Sequence, residues 1–132
     1  MQEKKKILMA KLGLDGHDTG AKILCQVFRN CGFEVIYAGL RQTAEQVVLA
    51  SIDEDVDVIG ISSLSGAHMH HIPKAVQLLK ERHVDIPIIV GGTIPIEDAE
   101  ELKKMGVAEV YPAGVDINNA IEFIRKLPGK KV

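Results

Sequence analysis

The chain has no tryptophan, and its aromatics are limited to three phenylalanines and two tyrosines. Surfaces that hold single-stranded nucleic acid stack bases on aromatic side chains along a basic groove. That class is excluded twice over, because 16 Lys and Arg stand against 18 Asp and Glu, a net charge of -2. No basic excess is left to track phosphates. Lys4 to Lys6 form the one dense basic run, which reads as a solvated N-terminal segment. Long apolar runs are missing too. Val56 to Leu64 is one of the longest, and a membrane-crossing helix needs about 20 such residues. Met1 is followed by polar residues and then one strand-length apolar run, so no secretory signal is visible. Cysteine is scarce: Cys25 and Cys31 lack Cys-x-x-Cys spacing and make no disulfide framework. The expectation is a reduced, cytoplasmic protein without membrane or nucleic-acid partners, with Cys25 packed in the core and no redox role for either thiol.

What is present is a regular alternation. The 132 residues suit one domain spanning 1–132, and 46% hydrophobic content suits a packed core. Apolar, β-branched runs occur at Lys6–Ala10, Phe33–Tyr37, Val56–Ser62, Ile86–Val90 and Ala108–Tyr111. A helical stripe follows each of them: Ala21, Leu24, Cys25 and Phe28; Ala44, Val47, Val48 and Ser51; Ile72, Ala75, Val76 and Leu79; Ala99 and Leu102; Ile117, Ala120, Ile121 and Ile124. All share the i, i+3, i+4 spacing of amphipathic helices. Thr43 with Gln46 makes a capping box, and Gly32 and Gly106 end the first and fourth helices. Pro73 and Pro95 are placed at or before helix starts, where a missing N–H costs little. No linker, repeat or low-complexity stretch interrupts the units, and only Pro128 to Val132 reads as frayed. Five βα units predict an α/β, flavodoxin-like, doubly wound parallel sheet of five strands in the order 2-1-3-4-5. Its ligand site falls beyond the C-terminal strand ends, near the switch point between the first and third strands. The loops after Ala10, Ser62 and Val90 are therefore the ones to inspect.

The first reads Lys11-Leu-Gly-Leu-Asp15-Gly16-His17-Asp18-Thr-Gly20. Its glycines fit neither the dinucleotide fingerprint nor a P-loop. Asp15 and His17 are one residue apart, so a carboxylate can fix the imidazole tautomer and aim the second nitrogen. Such a His suits a metal or general-base work, and Lys11 can hold Asp15; a solvated turn is the plain alternative. The second loop, Ser62 to His71, begins with small residues that let something bulky approach the backbone. His68, His70 and His71 have no carboxylate or Cys to complete a zinc set and read as polar loop and helix-start residues. The third, Gly91-Gly92-Thr-Ile-Pro95, permits close backbone approach by a ligand or simply a tight turn.

In order, Asp15-x-His17-x-x-Gly20, Ser62-x-Leu64 and Gly91-Gly92 resemble the signature of base-off, His-on cobalamin-binding domains. The wider text, Lys11-x-Gly-Leu-Asp-Gly-His-Asp-x-Gly with Ile-Gly-Ile-Ser-Ser-Leu-Ser-Gly-Ala-His, is most similar to the methylmalonyl-CoA mutase group, from about Lys5 to Leu127. The resemblance implies that His17 ligates cobalt in place of the cofactor's dimethylbenzimidazole. It implies further that Asp15 accepts from the other imidazole nitrogen and that Lys11 pairs with Asp15, these three forming the catalytic set. Gly16, Asp18, Gly20, Ser62, Leu64, Gly66, Gly91 and Gly92 would bind the cofactor and its nucleotide tail, and Tyr111 and Gly114 would close the slot. Where many relatives carry Thr after that last Gly, this chain has Val115 and so lacks the hydroxyl. The implied function is the adenosylcobalamin-binding small subunit of an acyl-CoA mutase, an isomerase inactive alone. The implied partners are a large barrel subunit that holds the acyl-CoA and a G-protein chaperone.

A response-regulator receiver shares the architecture but needs an acceptor Asp where Ile61 and Ser62 stand, and a Lys where Tyr111-Pro112 stands. A corrinoid methyl carrier or cobalamin-dependent regulator is the non-catalytic alternative; such modules usually bring a helical cap before the first strand. Glutamate-mutase-type small subunits match in length but less in loop text.

Overall fold

Successive strand residues point to opposite faces, and in this chain both faces are apolar. A computed structural model describes residues 5–12, 19–63, 68–92, 94–112 and 116–127. Its strands are β1 (Lys6–Leu12), β2 (Glu34–Gln42), β3 (Val58–Ser63), β4 (Ile88–Gly92) and β5 (Glu109–Pro112). Its helices are α1 (Thr19–Asn30), α2 (Ala44–Asp53), α3 (His68–Glu81), α4 (Ile96–Met105) and α5 (Ile117–Lys126). The strands form one parallel sheet in the order β2-β1-β3-β4-β5, as predicted.

The two faces build two cores. Leu8, Ala10, Ile59, Ile61, Ile88 and Val90 pack with the buried stripes of α2, α3 and α4. Ile7, Met9, Val58 and Ile89 pack with Cys25 and Phe28 of α1 and Ala120, Ile121 and Ile124 of α5. These residues belong to the predicted stripes, with Leu24, Ala99 and Ile117 partly buried at their edges. Ile124 is fully buried in the second core. Ile124→Ala is expected to lower unfolding free energy by about 2–5 kcal/mol, read as a lower midpoint in urea at unchanged slope.

Local signals also behave as expected. Thr43 Oγ1 accepts from the Gln46 N–H at 3.0 Å, and the Gln46 side chain accepts from the Thr43 N–H at 2.9 Å. Gly32 and Gly106 close α1 and α4 at φ +95° and +123°, the left-handed region that suits glycine.

Four expectations need correction. Lys11 and Leu12 belong to β1 and not to the loop after it, because Leu12 still pairs with Gln42 past a register shift. Gly91 and Gly92 likewise lie on β4, paired as Gly91 with Ser62 and Gly92 with Pro112, while Ser62 is on the strand as expected. Pro73 does not open a helix: α3 begins at His68 and carries Pro73 inside it. The lost N–H bond is outweighed by the buried stripe of Ile72, Ala75, Val76 and Leu79 that the helix delivers to the core. Lys6 also departs from a purely solvated role. It opens β1, where its Nζ donates to the Glu54 carbonyl at 2.9 Å and lies 3.3 Å from the Glu34 carboxylate.

Candidate functional site

On the α1/α5 face, each central strand starts large and ends small. β3 presents Val58, then Gly60; β4 presents Ile89, then Gly91. Register aligns these changes: Met9 lies beside Gly60, Gly60 beside Ile89, and Ser62 beside Gly91, which lies beside Tyr111. Side-chain volume is thus removed from one end of the face, the C-terminal end. The helices cannot collapse into the gap because the rest of the face holds them off.

The result is a groove of about 210 Å³. Met9, Gly60 and Gly91 line the sheet side, Leu24 and Phe28 come from α1, and Ile117 and Ala120 come from α5. Tyr111 and Pro112 of β5 complete the wall. Gly60 lies close under Met9: a Cβ there would come within 2.5 Å of the Met9 sulfur. Gly91 differs, since a Cβ there would meet only the Tyr111 carbonyl, at 3.6 Å.

Next to the groove stands a buried cation. Lys11, near the end of β1, is 0% exposed. Its Nζ donates to the Ser62 carbonyl at 3.1 Å. A charge inside a protein needs such partners, because desolvation otherwise makes it very costly. The contact ties the end of β1 to the end of β3, the two strands at the topological switch point.

Other titratable groups are modest. Burial, and then the nearby Glu109 carboxylate, push the Tyr111 phenol up to about 12, so it stays protonated and can donate at neutral pH. His70 and His71 sit in the first turns of α3, their rings edge-on at 4.8 Å. Burial first, then His70 and Lys74, lower the His71 imidazole. Burial pushes the Cys25 thiol up, with Arg29 opposing; a protonated, buried thiol is inert, in line with a core role.

Of the predicted site residues, Lys11, Ser62, Gly91, Gly92 and Tyr111 gather at this one sheet edge. Gly20 lies in the first turn of α1. Asp15, Gly16, His17, Asp18, Leu64, Gly66 and Gly114 lie outside the described residues, as does the Asp15 end of the expected Lys11–Asp15 pair. The groove walls were not foreseen as a site. Leu24, Phe28, Ile117 and Ala120 read from periodicity as core, and the one available signal was Gly60 inside an apolar strand. Among the described residues, no helix is long and apolar enough to cross a membrane.

Comparison with known proteins places this arrangement. The B12 binding domain family matches residues 5–122. The chain is 46% identical to the 2-hydroxyisobutanoyl-CoA mutase small subunit of Aquincola tertiaricarbonis, over 92% of this chain and 90% of that one. It is 41% identical to the methylmalonyl-CoA mutase large subunit of Propionibacterium freudenreichii subsp. shermanii, over 92% of this chain but only 17% of that protein. Among solved structures, a cobalamin-binding protein from Desulfitobacterium hafniense DCB-2 superposes with a TM-score of 0.81 over 96% of this chain and 60% of that one, at 21% identity. That likeness establishes the shared fold.

Proposed function

Because the chain belongs to the B12-binding domain family, as a relative of the cobalamin-binding parts of acyl-CoA mutases, we propose that it is the adenosylcobalamin-binding small subunit of such a mutase. The carrying observation is the match along nearly the full length of both chains to a separate small subunit. The much longer relatives contain this unit as about one-sixth of their length, at 17% for the methylmalonyl-CoA enzyme.

The groove tests whether the residues present fit the cofactor. Sites for whole drug-sized ligands run to about 300–1,000 Å³, so 210 Å³ suits only part of a molecule. Its wall is apolar and its floor is glycine, which suits a flat aromatic base and not a corrin rim. In the proposed arrangement the groove between α1, α5 and the sheet would hold the base and its tail, and the residues at the C-terminal strand ends would face the rest of the cofactor.

His17 would replace the base as ligand, with Asp15 accepting from its other ring nitrogen and Lys11 holding Asp15. A neutral imidazole is the ligating form, and the carboxylate fixes which nitrogen is free to ligate. Lys11 is well placed to steady that loop, being anchored on Ser62 at its base. Gly16, Asp18, Gly20, Ser62, Leu64, Gly66, Gly92 and Gly114 would shape the rest of the slot, with Tyr111 donating at its β5 end. When bound, cobalamin supplies the organometallic centre for the radical rearrangement, and the protein contributes binding and orientation. A G-protein chaperone and a cytoplasmic location complete the proposal.

Equilibrium dialysis of the chain against adenosylcobalamin tests it, with an absorption spectrum showing the base displaced; absence of binding would overturn the reading. Gly91→Leu probes the groove separately. The fold has room for the first added carbon, but the side chain would occupy the space of the base. Overpacking of this kind is expected to weaken cobalamin binding by about 10-fold or more, with thermal unfolding little changed.

A further inference from the structure

We infer that Phe33 and Arg125, neither of which lines the groove, are positioning residues: from the turn between α1 and β2 they hold Phe28 in place as a wall for the nucleotide tail. The inference rests on the proposed function and deepens it.

The turn that ends α1 does two things at once. The Gly32 N–H donates to the Arg29 carbonyl at 3.0 Å, and the Phe33 N–H donates to the Phe28 carbonyl at 3.1 Å, with Gly32 at φ +95°. Helices closed in this way often add an apolar contact between the residue after the glycine and the one whose carbonyl it binds. Here that contact is aromatic. The Phe28 and Phe33 rings meet edge to face with 6.1 Å between centroids, and both are buried. Phe28 alone of the pair faces the groove. The residue that stops the helix therefore also backs a wall of the candidate site.

The second flanking helix is tied to the same turn. Arg125, in the last turn of α5, sets its guanidinium 5.9 Å from the Phe33 ring centre and donates to the Cys31 carbonyl at 3.4 Å. Glu122 of the same helix lies 3.7 Å from it. Further up, α5 gives Ile117 and Ala120 to the groove. Arg125, Phe33 and Phe28 thus join the two helices in series, from an exposed surface group to a groove wall.

The effect on binding follows from populations. Molecules in which Phe28 leaves its place cannot take the tail, and apparent affinity falls with the competent fraction. Losing an edge-to-face pair can change such a fraction by up to about 10-fold. Losing an exposed cation over a ring can change it by about 2–5-fold. A corrinoid without a nucleotide tail does not use the wall and should be blind to both.

Equilibrium dialysis of the full chain against cobalamin, and against cobinamide, which lacks the tail, tests this. Phe33→Leu should weaken cobalamin binding by about 3–10-fold and Arg125→Ala by about 2–5-fold, with cobinamide binding unchanged in both. Arg125→Lys, which keeps a cation able to sit over the ring, should recover part of the loss. Arg125 is half-exposed, so its removal leaves the fold intact and keeps the test decisive if Phe33→Leu folds poorly. Leu102→Ala, buried in the opposite core, should lower the unfolding midpoint and leave the ratio of the two affinities alone. Cobalamin binding unchanged in Arg125→Ala and Phe33→Leu, equal losses for both corrinoids, or the same change of ratio in Leu102→Ala would overturn the inference and leave the proposed function standing. Binding of neither corrinoid by the unmodified chain would instead overturn the proposed function itself.

Discussion

Replacing His17 with alanine is expected to abolish the His-ligated state of cobalt and lower mutase activity by about 100-fold or more. The floor comes from residues one step further out: losing a group that merely orients a metal ligand costs about 10–100-fold, and losing the ligand itself should cost at least the upper end. Asp15→Ala should fall inside that range, because the imidazole remains but its tautomer and direction are no longer set. The two variants should also differ in kind. In Co(II) samples, ¹⁵N-labelled imidazole should show coupling in the electron paramagnetic spectrum of the unmodified chain and of Asp15→Ala, and none in His17→Ala. A spectrum unchanged by His17→Ala would refute the assignment. Residual cobalamin binding by His17→Ala is expected, since the groove and the strand-end glycines are untouched. Affinity and ligation should therefore separate, with the loss concentrated in spectrum and turnover.

The sheet order and the helical stripes were legible because each rests on a period. Residues such as Val47, Val48 and Ser51, or Ala120, Ile121 and Ile124, are buried where spacing puts them. Strand ends were less legible. Lys11, Gly91 and Gly92 do not look like strand residues, yet the ladder continues through them because neighbouring strands are already aligned. Tertiary pairing overrides local preference there. Pro73 is a similar case, a poor helix former carried by a stripe that packs well.

The groove was the least legible feature, for a physical reason. A pocket for an apolar base and a core use the same side chains, so Leu24 and Phe28 carry no mark of which they line. Only the vacancy distinguishes them, and a vacancy appears in sequence as glycine. Gly91 is such a mark, with room for a Cβ, whereas the space over Gly60 is taken by Met9; both gain meaning only when register sets Gly60 beside Met9 and Gly91 beside Tyr111. The Asp15-x-His17 text stands out in the sequence, but its residues lie outside those described, so its role rests on the proposal.

The chain supplied with adenosylcobalamin and a panel of acyl-CoA thioesters is expected to show no turnover, and a large acyl-CoA-binding subunit should restore it. The placement of the site is the reason. Lys11, Ser62, Gly91 and Tyr111 share one sheet edge, and the groove opens between α1 and α5 of that same layer. In the proposed arrangement these groups would hold the lower face and tail of the cofactor. Radical rearrangement also requires a site that holds the thioester, excludes water and prevents side reactions, and the described residues offer no second wall for it. Ile96, 70% exposed at the start of α4 on this edge, offers apolar surface to a covering partner, and the first turns of α3 lie alongside. If the partner closes over the corrin, it must bind the loaded chain better than the empty one. Linkage is reciprocal, so the partner should tighten cobalamin binding by the same factor, about 5–150-fold for typical couplings. Dialysis with and without the large subunit reads this factor directly, and an isomerisation assay reads the activity. Turnover by the chain alone would contradict the subunit reading. Methyl transfer in place of isomerisation would favour a corrinoid methyl carrier, because such a carrier uses the same lower face but presents the upper one to a methyltransferase.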